Sequence, residues 1–190
     1  MKSTIPPLPD WTGLVPDINP ELPPSLRNVM LDLVLAWAEL DGAISMMSSA
    51  IFGLNPTTGS LLMGKMRVSE KLERVVKLHK AFSQSDGANT VKRIKTDYER
   101  LARARNLIAH SKCVGVLQSD STSLMFATFE APKHGELALY RLTLGEMNAG
   151  IAYAKRLTVR CLQIVDQSSF FNETEGNNPS TAQPPSAAPG

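Results

Sequence analysis

The sequence predicts a mainly helical single domain: about four long helices, with a small antiparallel β-meander inserted before the last of them. Three observations carry that prediction. Apolar residues recur at helical spacing through 26–51, 61–82 and 94–108. Three short strand-like runs separated by turn clusters follow between 113 and 142. Then Thr143-Leu144-Gly145-Glu146 forms a T-x-x-E capping box, which opens one more helix. The chain of 190 residues is long enough for one well-buried core and too short for two comfortable ones.

Residues 1–24 form a proline-rich arm (Pro6, Pro7, Pro9, Pro16, Pro20, Pro23, Pro24), read as extended with one turn at Asn19-Pro20-Glu21. Leu8, Trp11, Leu14, Val15 and Ile18 imply that it packs onto the domain, which spans 25–168. Ser25 is a suitable N-cap for the first helix, and Gly53 a suitable stop. Its core stripe is Leu26, Met30, Leu33, Trp37, Leu40, Ile44, Met47 and Ile51. Asn55-Pro56-Thr57-Thr58-Gly59 reads as a turn. A second helix is expected over 60–83, burying Leu61, Leu62, Met66, Leu72, Val75, Val76 and Phe82. A loop at Ser83–Gly87 leads to a third helix over 89–110. The meander (about 112–142) comprises strands at 113–117, 123–129 and 137–142, with turns at Ser119-Asp120-Ser121 and Pro132-Lys133-His134-Gly135. The last helix, to about Val165, turns Met147, Ile151, Ala154, Leu157 and Cys161 inward. The tail, 169–190, has almost nothing to bury and is expected to be disordered.

The formal net charge of +2 gives no general polyanion-binding signature, so a nucleic-acid contact must be a local patch. Cys113 and Cys161 have neither CxxC spacing nor a second pair, and read as free thiols of a reducing compartment. No His, Cys, Asp or Glu cluster has metal-ligand spacing, so neither metal nor cofactor is expected. The N-terminus lacks the apolar stretch of a signal peptide and no run reaches membrane-spanning length, which predicts a cytoplasmic protein with no membrane partner. His79 lies on a basic helix surface and His134 in a turn; both are expected to be solvated. Met30, Met46, Met47, Met63 and Met66 occupy core-like positions, where packing is the simpler role.

One segment stands apart. Arg105-Asn106-Leu107-Ile108-Ala109-His110 closes the third helix. At about 100° per residue, Ile94, Tyr98, Leu101 and Ile108 share an arc roughly 80° wide, and Arg105 falls inside it. A permanently charged side chain on an apolar stripe needs a reason. Asn106 and His110 share a neighbouring face with Glu99 and Arg103, whereas Arg105 points about 140° from His110. Convergence of the two on one phosphate requires either a bend near the helix end or a second copy of the helix across an interface. The physical chemistry of the pair suits metal-free phosphoryl transfer, with the arginine holding charge and the histidine moving a proton.

This string, on a helix of a compact helical domain, resembles the HEPN superfamily, whose hallmark is Arg, a polar residue directly after it, and His some residues on. Arg105, Asn106 and His110 match those positions, and Trp37-Ala38-Glu39-Leu40-Asp41 resembles the W-x-x-L-[D/E] form of the family's first helix. The resemblance covers roughly 25–165, with the meander as an insertion. It implies a metal-independent endoribonuclease, commonly a toxin or phage-defence effector, acting as a homodimer on RNA and held by an antitoxin or other regulatory protein. In that reading His110 is the general acid or base, Arg105 stabilises the phosphate, Asn106 orients phosphate or histidine, and Asp41, at the edge of the first helix's stripe, positions Arg105 or His110. Lys112 stands where some members carry a modifiable tyrosine. Arg100, Arg103 and Lys112, with the basic residues Lys92, Arg93 and Lys95, are expected to draw RNA phosphates towards the site. Two other readings stand beside it. A cation near a helix C-terminus is favourable by itself, by a few tenths to about 1 kcal/mol, so the motif can be structural. A non-catalytic HEPN-like module for protein or nucleotide binding and dimerisation is the other.

Overall fold

A computed structural model describes residues 17–128 and 138–167. In chain order the elements are β1 (Ile18–Asn19), α1 (Pro24–Ile51), α2 (Pro56–Met63), α3 (Val68–Ala81), α4 (Ser85–Leu101), α5 (Arg103–His110), β2 (Lys112–Leu117), β3 (Ser123–Thr128), β4 (Ala138–Thr143) and α6 (Leu144–Gln167). The protein is thus mainly helical with a small antiparallel sheet, but the expected second and third helices are each divided. Leu8, Trp11, Leu14, Val15, the turn bearing His134, and the tail lie outside the described residues.

The helix starts explain several of the differences. α1 begins at Pro24, where the missing N–H costs nothing, and the Leu26 and Arg27 amides donate to the Pro23 carbonyl. Ser25 therefore lies inside the first turn and is not the cap. Asn55 to Gly59 is not a free turn but a helix start: the Asn55 side chain accepts from the Thr58 amide at 2.9 Å, with Pro56 following it. α2 lasts only to Met63, and Gly64, a weak helix former, opens the break before α3. With the phase lost there, Leu61 is 79% exposed, and Leu62 and Phe82 also face outward instead of entering the core. Among the methionines Met47 and Met63 are buried, Met30 and Met66 half-buried, and Met46 is exposed. α4 starts at Ser85, earlier than the expected Asn89, after a tight turn at Ser83 (φ 57°). Its separation from α5 at Ala102 has no sequence marker, because alanine favours helices. Ala102 and Ala104 are both buried where the two helices meet.

The core runs along α1. Leu33, Trp37, Leu40, Ile44 and Met47 pack with Met147, Ala154, Leu157 and Cys161 of α6, Leu72 and Val75 of α3, and Leu124 and Phe126 of β3. α1 and α6 approach closely at Gly150, where an added Cβ would sit 2.9 Å from the Leu33 side chain. The capping box of α6 forms as expected: the Thr143 amide donates to Glu146 at 2.8 Å, and the Glu146 amide to Thr143 Oγ1 at 3.1 Å. The sheet order is β1-β2-β3-β4, all antiparallel, so the meander gains an edge strand from the N-terminal arm. Ile18 is buried in that pairing. The β2–β3 register shifts between Cys113 and Gly115, and Gly115 takes φ 145°, where a Cβ would collide with the Asn19 carbonyl. No described helix is long and apolar enough to cross a membrane.

Candidate functional site

The reason for a charge on the apolar stripe is a carboxylate on the facing helix. Arg105 Nη2 donates to Asp41 Oδ2 at 3.2 Å, and Nη1 donates to Asn106 Oδ1 at 3.0 Å. Both ends of the ion pair are shielded, with side chains 31% and 27% exposed. The pair therefore satisfies within one chain the charge that a second copy would otherwise have to neutralise. Glu39, two residues from Asp41, is exposed.

Asp41 holds a second partner. Tyr98 donates its hydroxyl to Asp41 Oδ1 at 2.7 Å, while its ring packs edge-on against Trp37 with centroids 5.0 Å apart. Burial, then the bond to Asp41, pushes the Tyr98 hydroxyl far above the ordinary tyrosine range, so it stays a donor. A third group approaches from α3. Lys71 is 5% exposed; its Nζ donates to Ser45 Oγ at 2.7 Å, and Ser45 in turn donates to the Asp41 carbonyl at 2.7 Å. Burial lowers the Lys71 pKa, and the Asp41 charge opposes that fall.

These residues border a cavity of about 530 Å³, lined by Asp41, Ser45, Arg67, Lys71, Tyr98 and Arg105 among others. A larger one of about 1020 Å³ lies beside it and includes Arg67, Glu99, Arg103, Arg105, Asn106 and His110. Arg67, Arg105 and Asn106 belong to both walls, so the two spaces adjoin along these three residues.

The helix is divided at Ala102, upstream of the motif, and the Ala102 amide still donates to the Tyr98 carbonyl there. Arg105 and His110 remain on one unbroken helix, α5. What brings both to the larger cavity is the length of the arginine side chain, turned towards Asn106. His110 is exposed at the end of α5 and lines the larger cavity together with Glu99 and Arg103. Of the expected RNA-contacting residues, Arg103 lines the larger cavity. Arg100 does not; it pairs with Asp97 at 3.1 Å. Lys112 opens β2 two residues past His110 and is half-buried. His79 is not freely solvated: it shares a 2.7 Å hydrogen bond with Gln84 and is half-buried against Gly87.

Lys71, Ser45, Arg67 and the Tyr98 hydroxyl escaped the sequence analysis. Lys71 carried a usable signal, because it lies three after Val68 and four before Val75, a charge on an apolar face like Arg105. Tyr98 was assigned to the apolar arc, which accounts for its ring and not for its hydroxyl. Among the described residues no group of three or more His, Cys, Asp or Glu side chains is placed to hold a metal ion. Compared with family models, curated proteins and solved structures, the chain matches none of them.

Proposed function

We propose that the protein is a metal-independent endoribonuclease of HEPN type, with Arg105 and His110 at its centre. The observation that supports this most is the Arg105 guanidinium itself. It is held by Asp41 and Asn106 on the wall of a cavity that His110 also lines, and it carries more N–H donors than those two bonds consume. A phosphate in the larger cavity meets an oriented, permanently charged donor. The histidine acts on the attacking or the leaving group. The 2′-hydroxyl loses its proton as its oxygen bonds phosphorus, the bond from phosphorus to the 5′ oxygen breaks, and that oxygen takes up a proton. The products are a 2′,3′-cyclic phosphate and a 5′-hydroxyl. Asp41 acts on this step by positioning Arg105, and Asn106 by fixing the guanidinium plane. Arg103 and Lys112 flank the strand's path. The reading includes a homodimer that pairs two such sites, an antitoxin or other regulatory partner, and a cytoplasmic toxin or phage-defence setting.

The test is RNA cleavage by purified protein in EDTA. Activity is expected to persist under chelation and to disappear in His110→Ala, whose exposed side chain leaves the fold intact. Cleavage retained by His110→Ala, or lost on chelation, overturns the chemistry. Molar mass by light scattering tests the dimer.

One observation favours a second reading, a non-catalytic module that binds a protein partner or a second copy. α1 leaves Leu31 and Leu35 exposed and α6 leaves Val159 and Leu162 exposed, on the two helices that form the core of the bundle. RNA left intact, with association abolished by Leu31→Lys, would favour it.

A further inference from the structure

We propose that the smaller cavity is a phosphate subsite, built from the Lys71 ammonium and the N-terminus of α3, that holds the phosphate next to the scissile one on a bound RNA strand. The proposal rests on the nuclease reading above and adds a second anchoring point to it.

The cavity has too little negative charge for its cations. Arg67, Lys71 and Arg105 line it, and among the described residues Asp41 is its only lining carboxylate. That carboxylate is already bonded to Arg105 and Tyr98. Lys71 reaches it only through space, its one hydrogen bond among the described residues being to Ser45. An ammonium has more donors than that bond uses. A buried cation without a dedicated counterion is costly, and an incoming anion removes the cost. Lys71 donates to Ser45, and Ser45 gives its own proton to the Asp41 carbonyl. The Ser45 hydroxyl, its proton already given to the Asp41 carbonyl, thus holds the Lys71 side chain in place and is not set up as a nucleophile.

The second element is the start of α3. Arg67, Val68 and Ser69 line the cavity, and the N-cap residue, Arg67, makes no side-chain cap. First-turn amides without a side-chain acceptor, at the positive end of a helix dipole, are donors for a phosphate. Glu70, the acidic residue of that turn, is exposed and does not line the cavity. The ammonium and the helix start thus face the same space from one element, and Arg105 closes it towards the larger cavity. A strand crossing both spaces presents one phosphate to Arg105 and His110, and its neighbour to Lys71 and the α3 amides.

Binding, kept separate from cleavage, tests this. Wild type, Lys71→Met and Ser69→Asp are titrated with a single-stranded oligonucleotide carrying hydrogen in place of every 2′-hydroxyl, across a salt series, with and without inorganic phosphate as competitor. Ser69→Asp places a carboxylate at the α3 N-terminus, where it suits the helix and occupies the subsite. It therefore reads the site even if Lys71→Met does not fold. Each variant is expected to bind the strand about tenfold more weakly, and Lys71→Met to reduce the log–log salt slope by about 0.7, the single-strand value for one neutralised phosphate. Competition by inorganic phosphate is expected in wild type and lost in both variants. Affinity, slope and competition unchanged in folded Ser69→Asp overturn the subsite. Wild-type cleavage is scored independently: variant-sensitive binding without cleavage retains the subsite and overturns the nuclease, and the reverse pattern does the opposite.

Discussion

Replacing Asp41 by Asn keeps the shape of the side chain and an acceptor for Tyr98 but removes the charge that Arg105 and Lys71 share. An exposed ion pair contributes about 0–1 kcal/mol. Breaking a buried one by deleting one partner costs about 3–5 kcal/mol. The Asp41–Arg105 pair, 3.2 Å long with side chains 27% and 31% exposed, lies between these limits. Lys71, 5% exposed, loses the Asp41 countercharge in the same substitution. The expected loss is about 2 kcal/mol, which for a domain of this size lowers Tm by about 4–8 °C. Urea unfolding of wild type, Asp41→Asn, Arg105→Met and the double variant gives the coupling directly, expected at about 1–2 kcal/mol. A single variant within about 0.5 kcal/mol of wild type, or no coupling, would refute the claim that Asp41 explains the charged residue on the α5 stripe.

Tyr98→Phe keeps the edge contact with Trp37 and removes one hydrogen bond to Asp41, so chemical denaturation should show a loss of about 1 kcal/mol. Alkaline stability follows from one buried and two half-buried groups whose folded pKa values are raised: Cys161 to about 11, Tyr153 to about 12, and Tyr98 far above the ordinary range. Each stays protonated in the folded chain after the unfolded chain has lost its proton, so stability falls as pH rises, from about pH 9 for the thiol and about pH 10 for the phenols. Lys71, whose pKa is lowered, works against this trend below its unfolded value, since the unfolded chain there holds the extra proton. In Cys161→Val the fall between pH 9 and 11 should shrink by about 2–3 kcal/mol, and an unchanged alkaline limb in equilibrium unfolding would disprove the assignment. Gly115→Ala meets the Asn19 carbonyl and a backbone conformation that suits glycine. Amide exchange should show the Gln118 amide, which donates to the Asp17 carbonyl, losing protection as β1 detaches, while α1 stays protected.

Elements were legible where one local signal sufficed. The capping box at Thr143, the stripe of α1 and the three strands between 112 and 143 all follow from residues a few positions apart. The same rules misplaced Asn55 to Gly59, where turn residues proved to be a helix cap, and they carried one helix through Gly64 because the apolar spacing on either side of it looked continuous. The division at Ala102 was invisible, because nothing in an alanine marks it.

The candidate site divides in the same way. Periodicity singled out Arg105 and placed Asn106 and His110 on a neighbouring face, and helical phase put Asp41 at the edge of the first helix's stripe. Those facts depend only on the angle per residue. That Asp41 meets Arg105 and Tyr98 depends on how α1 lies against α4 and α5, contacts 57 and 64 residues apart in sequence. Lys71 and the uncapped start of α3 enter the site because the break after Met63 re-aims that helix towards Ser45. A sequence records which faces of its helices are apolar and which charges interrupt them. Which carboxylate answers a buried cation, and which cation is left short of one, is decided only when the helices pack, because burial makes the neutralisation of charge a property of neighbours in space.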